Sequence, residues 1–140
     1  MIARKGRIED GNTISDYDKE EISRHFSLSA SVVPVEWNGL KINILDAPGY
    51  FDFVGQLEDA MSVADAAVIV VNGKAGVEVG TVKAWEICER RQIPRIFFVT
   101  NMDDPNAKYG NRRTVKRTLW KENSTIPFTY SGKREINRIC

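Results

Sequence analysis

The chain has 140 residues, about the size of a single domain. With 42% hydrophobic and 28% charged residues and a net charge of +1, its composition excludes a disordered or fibrous protein and fits a globular one. No stretch approaches the roughly 18 uninterrupted apolar residues of a membrane span, and no apolar run follows Met1–Gly6 as in a secretory signal, so a cytoplasmic address without membrane contact is expected. Two cysteines, Cys88 and Cys140, are too few for a disulfide framework or a four-ligand zinc site.

The small net charge hides an asymmetry. Residues 1–109 carry 12 Lys and Arg against 17 Asp and Glu, a charge of −5, whereas residues 110–140 carry 8 against 2, a charge of +6. A basic segment of this kind reads as a solvated tail or as an arm for nucleic acid.

Residues 1–31 are polar and read as loop. Glu9-Asp10-Gly11-Asn12 and Ser15-Asp16 are turn signals, and the charged run Asp18–Glu21 is able to form a short helix. Ser31–Trp37 and Leu40–Leu45 flank Asn38-Gly39, whose positive-φ tolerance predicts a β-hairpin; Pro34 suits an edge strand. Asp46-Ala47-Pro48-Gly49 is a sharp turn. Phe53, Leu57, Met61 and Ala64 then recur at helical spacing. Ala66–Val71 is a continuous apolar run, the pattern of a strand covered on both faces. Val79–Arg91 reads as an amphipathic helix around Val82, Trp85 and Cys88, and Pro94–Thr100 as a second buried strand. Strands alternating with helices predict an α/β fold with a parallel sheet and right-handed crossovers.

In such sheets ligands sit beyond the carboxyl ends of the strands. Two loops fall there, Asp46–Tyr50 and Thr100–Asp104. An aspartate that ends a strand and precedes Pro-Gly can hold a water of a magnesium ion, while the glycine lets its amide approach a terminal phosphate. The same four residues also make an ordinary turn. His25 reads as a solvated loop residue, and Trp37, Trp85 and Trp120 are not spaced as a binding platform.

Taken together, an ordered set of segments resembles the GTP-binding domain of translational GTPases, closest to the elongation factor G type. The set comprises Arg7–Glu21, Arg24–Ala30, Trp37–Gly49, Asp52-Phe53, Ala66–Glu78 and Pro94–Asp103. The resemblance implies a partial P-loop GTPase-type sheet with helices on both faces. It implies GTP or GDP with Mg2+ as ligands, the ribosome as partner, and no role for DNA. Ser27 falls where the family's first switch loop has a metal-ligating threonine, and Asp46 matches the aspartate of the second switch. Gly49 matches the glycine whose amide senses the γ-phosphate. Thr100, Asn101 and Asp103 fall on the guanine loop, where the family has Asn-Lys-x-Asp; an ungapped alignment through Asn106-Ala107 selects Asp103 over Asp104 as the reader of the base.

Two departures bear on activity. Tyr50 occupies the catalytic position at which the main branch of the family has a histidine that orients the attacking water, and a phenol does not do the work of an imidazole unchanged. The phosphate loop Gly-x-x-x-x-Gly-Lys-Ser/Thr occurs nowhere in the chain. By the resemblance it would precede Met1 together with the central first strand and first helix, so a sheet without its central strand and weak binding of GTP are expected. With no phosphate-bound magnesium to order it, the Ser27 loop is expected to be a flexible polar segment.

The resemblance stops at Tyr109. Back-translation of residues 110–140, read one base later, can restore a family-like helix and strand, so this part is read as out-of-frame sequence. A different class of function, an RNA- or ribosome-binding fragment independent of nucleotide, would act through Arg112, Arg113, Lys116, Arg117 and Lys121 with Trp120.

Overall fold

The computed structural model describes residues 6–7, 10–105 and 107, and the backbone of 128–130. Glu9, Asn106 and the basic tail with Arg112, Arg113, Lys116, Arg117, Trp120 and Lys121 lie outside the described residues. The chain divides into two compact units, Met1–Val63 and Ala64–Cys140.

The first unit opens with helix α1, Lys19–Arg24, inside the segment read as loop. A capping box makes so short a helix possible. The Asp18 carboxylate accepts from the Glu20 amide at 2.7 Å, and the Glu21 carboxylate accepts from the Asp18 amide at 3.2 Å. His25, with φ of 59°, ends the helix in the left-handed conformation. Strands β1, Ser31–Trp37, and β2, Leu40–Asp46, form the expected antiparallel hairpin, with Asn38 and Gly39 at φ of 49° and 75°. Pro34 faces Asn43 in the ladder and Ser31 faces Asp46. Because directly opposed residues share a face, Val33, Val35 and Trp37 lie with Ile44, Ile42 and Leu40 on one apolar face. A 3-10 turn at Phe51–Phe53 leads into α2, Val54–Val63.

The second unit is a βαβ arrangement. Strand β3, Ala67–Asn72, pairs in parallel with β4, Arg95–Thr100, and α3, Val79–Arg91, connects them. Strand β5, Phe128–Tyr130, adds a third parallel strand beside β4. The core is Ala67, Ile69 and Val71 of β3, Phe97 and Val99 of β4, and Ile87 and Cys88 of α3. Trp85 stacks on Phe97 with ring centroids 5.7 Å apart, and the Arg95 guanidinium lies 3.8 Å from the Trp85 ring centroid while ion-paired with Glu89.

The α/β character is as expected, with one difference in β3. Its alternate residues Val68 and Val70 are 61% and 58% exposed, so one face of this strand is covered and the other is not. The apolar run signals a strand able to be buried twice; α3 packs on it. The sheet is correspondingly partial. Among the described residues β2 pairs only with β1 and β3 only with β4, giving two small sheets rather than one.

Candidate functional site

In the first unit, two contacts join the Ser27 side of the hairpin to the Asp46–Tyr50 loop, and a third reaches α2. The ladder sets Ser31 opposite Asp46. The Phe26 ring meets the Tyr50 ring at 4.7 Å between centroids, tilted by 50°. The Ala30 amide donates to the Gln56 side-chain oxygen at 2.9 Å, tying the start of β1 to α2. Ser27, Asp46, Gly49 and Tyr50 are therefore gathered at one end of the hairpin. Pro48 is buried, whereas Asp46, Gly49 and Tyr50 on either side of it are exposed, so the turn is anchored by its proline and presents its polar groups outward.

The Ser27 loop has a defined set of hydrogen-bond partners. The Ser27 hydroxyl donates to Asp16 Oδ1 at 2.6 Å, and the Thr13 hydroxyl donates to the other oxygen of Asp16 at 3.3 Å. Glu21, only 2% exposed, accepts on Oε1 from the Leu28 and Ser29 amides at 2.9 and 3.1 Å and from the Ser29 hydroxyl at 3.4 Å. Burial pushes the Glu21 carboxyl upward, but the hydrogen bonds from Leu28, Ser29 and Asp18 outweigh it and hold the group below the ordinary glutamate range.

Apart from Gly49 and its two chain neighbours, no described atom lies within 4 Å of where a Gly49 Cβ would stand, and its φ is not left-handed. Neither sterics nor backbone conformation in the chain itself demands glycine there.

In the second unit, the loops after β3 and β4 lie side by side. Asn72 pairs with Thr100 in the ladder, and the Gly73 amide donates to the Thr100 carbonyl at 2.8 Å. The approach is close: a Cβ on Gly73 would stand 2.7 Å from that carbonyl oxygen and 2.9 Å from Met102 Sδ. The Asn72 side chain accepts from the Lys74 and Ala75 amides at 2.8 and 3.3 Å, an Asx turn that rigidifies this neighbour. Asn101 turns the chain at φ of 54°. Asp104 is engaged by Lys74 at 3.7 Å and its carbonyl accepts from the Ala107 amide, while Asp103 is exposed. The exposed carboxylate of this loop is thus that of Asp103.

The donor set suits magnesium. Ser27 and Asp46 offer hard oxygen ligands. Magnesium is the ion that takes one or two protein oxygens and fills its octahedron with waters and phosphate. The Ser27 proton, directed to Asp16, leaves the hydroxyl lone pairs available.

The family described as the elongation factor Tu GTP binding domain matches residues 1–135. The chain belongs to this family of translational GTP-binding domains. It is 38% identical over 104 residues to the mitochondrial ribosome-releasing factor 2 of Drosophila grimshawi, covering 74% of this chain and 14% of that protein. The same factor from Drosophila persimilis is 38% identical over 130 residues, 93% of this chain and 18% of the relative. A crystal structure from Thermus thermophilus shares 40% identity with a TM-score of 0.78, covering 83% of this chain and 18% of that one. The chain thus spans less than a fifth of the length of these relatives, within the GTP-binding domain of the elongation factor G type. The family match runs past Tyr109, where the sequence reading placed the end of the resemblance.

Several residues that shape these loops are not among the expected site residues: Asp16, Glu21, Phe26, Gln56 and Gly73. For Glu21 a signal existed, since Asp18-x-x-Glu21 is a capping-box spacing. The others act through contacts distant in sequence, such as Ala30 with Gln56, which no local pattern announces.

Among the described residues no helix is long and apolar enough to cross a membrane.

Proposed function

We propose that the chain carries the switch and base loops of a guanine-nucleotide-dependent translation factor of the translocation or ribosome-release type, acting in the cytoplasm with the ribosome as partner. The observation that carries this reading is the joining of the Ser27 and Asp46–Tyr50 loops through the Phe26–Tyr50 contact beside the Ser31–Asp46 pair of the ladder. In a nucleotide switch, these are the two segments whose positions must change together.

Each residue has a chemical role. Ser27 Oγ and the Asp46 carboxylate hold the metal side of the site. A bound magnesium would neutralise phosphate charge. The place a Gly49 Cβ would take is open, so a phosphate oxygen is able to approach the Gly49 amide without a side chain in its way. Thr100 and Asn101 shape the base loop, and Asp103 accepts the two N–H groups of guanine. Tyr50 shields the metal side with its ring against Phe26 but supplies no imidazole to orient a water. Without a phosphate-loop sequence, the main anchor for the β- and γ-phosphates is missing from these 140 residues. By itself the chain holds guanine nucleotide weakly and does not turn GTP over.

Residues 110–140 are kept, on the same footing, as out-of-frame sequence. Sequencing of the coding DNA tests this: the shifted frame should read through into a family-like helix and strand, and stop codons there would exclude it.

A titration of the purified chain with fluorescent GDP, with and without Mg2+, tests the functional reading. Binding should not saturate in the micromolar range; at millimolar nucleotide, unlabelled GDP should compete and ADP should not. Equal competition by ADP contradicts a guanine site, and micromolar affinity contradicts the weak binding ascribed to the missing anchor.

A further inference from the structure

Ser27 sits in a loop whose path is set by a residue six positions earlier. Glu21 lies in the first turn of α1 and is as buried as the core valines, although it is charged. Its hydrogen bonds come from neutral donors: the Asp18 amide on one oxygen, the Leu28 and Ser29 amides and the Ser29 hydroxyl on the other. The carboxylate therefore bridges the start of α1 to the two residues that follow Ser27. Between the bridged points stand only the left-handed His25, Phe26 and Ser27 after the last turn of the helix. Two amides held to one oxygen fix the plane and direction of the chain there, because a carboxylate oxygen accepts in defined lone-pair directions.

We propose that Glu21 is a positioning residue of the nucleotide-responsive loop, which by clamping the Leu28 and Ser29 amides to α1 fixes where the Ser27 hydroxyl and the Phe26 ring stand. The proposal rests on the reading of Ser27 as a metal ligand. Glu21 touches neither metal nor nucleotide. It acts through the backbone, and the Phe26–Tyr50 contact carries the same constraint to the second loop. The other charged groups around it have partners of their own. On α1, the Asp18 carboxylate is occupied by the Glu20 amide, and Glu20 pairs with Arg24 at 2.7 Å. On the segment before the helix, Asp16 is occupied by Ser27 and Thr13.

Amide hydrogen exchange of the full-length chain, read by NMR, tests the clamp without any ligand. In Glu21→Gln, whose single carbonyl oxygen cannot serve both sides as a carboxylate does, protection of Leu28 and Ser29 should fall by at least about tenfold. Protection of Val71 and Phe97 in the other unit should be unchanged, and the Tyr50 ring signals should move. Unchanged protection at Leu28 and Ser29 overturns the proposal. Should a variant fail to fold, the wild type decides: the Leu28 and Ser29 amide proton shifts must follow one carboxylate titration below the ordinary glutamate range, and flat shifts overturn the clamp. A second arm measures the Mg2+ concentration that half-saturates the GDP-dependent signal, which should rise about tenfold in Glu21→Gln and return toward wild type in Glu21→Asp, a conservative charge, if only in part. An equal requirement for Mg2+ in Glu21→Gln overturns the positioning role. Absence of any Mg2+-dependent GDP signal in the wild type, with the exchange result intact, removes instead the reading of Ser27 as a metal ligand.

Discussion

Two glycines show how a single residue separates folding from ligand response. Gly49 has open space around its missing side chain, so Gly49→Ala should leave stability within about 0.5 kcal/mol of the wild type while removing any preference for a GTP analogue over GDP. Urea unfolding and nucleotide titration of the same sample check both halves; a large loss of stability would show that the glycine is needed by the fold itself. Gly73 is the opposite case. A Cβ there would press on the Thr100 carbonyl and Met102, so Gly73→Ala should lower stability by about 1–3 kcal/mol and shift the amide signals of Thr100 to Asp104. An unaltered urea midpoint would contradict the tight approach of the two loops. Cys88 is fully buried, and burial pushes its thiol upward. In Cys140→Ser, alkylation at pH 8 should therefore proceed only as fast as the core opens, and fast stoichiometric labelling of native protein would place Cys88 near the surface.

At the scale of elements, local pattern and long-range contact divide the credit. The hairpin was legible because Asn38 and Gly39 tolerate positive φ, and α3 because its boundaries and amphipathic spacing coincide with Val79–Arg91. Helix α1 was legible only as a charged run able to form a short helix, because a segment with Ile22 as its one apolar residue has no apolar period; its existence depends on Asp18 and Glu21 capping each other's backbone. Strand β3 was read as covered twice because an apolar run records what a strand is able to bury, not what covers it. The clamp at Glu21 has a pH signature with a definite sign. Its carboxyl titrates lower in the folded chain than unfolded, so its contribution is complete above the ordinary glutamate range and fades as pH falls through the lowered value. The stability difference between wild type and Glu21→Gln in urea should accordingly be largest near neutrality and shrink toward pH 3. A difference that grows with acid would contradict the direction of the shift.

For the whole molecule, the partial sheet is the dominant fact. Strand β3 is open along one edge among the described residues and exposes Val68 and Val70 on one face, a combination that favours association between chains. Val68→Lys should raise the concentration at which the chain remains monomeric in sedimentation, with little change in unfolding midpoint; equal self-association would mean that this face is not the adhesive one. The candidate site was legible as a set of residue types at two strand ends, Asp46 with Gly49 and Asn101 with Asp103, while the contacts that give each loop its shape emerged only from the fold. The base loop is the part of the ascribed site that reads guanine. Amide NMR of the chain with millimolar GDP and Mg2+ tests it most directly. The signals of Thr100, Asn101 and Asp103 should move along one saturation curve that ADP does not reproduce. Absence of movement in this loop, or movement elicited equally by ADP, would contradict a guanine site there.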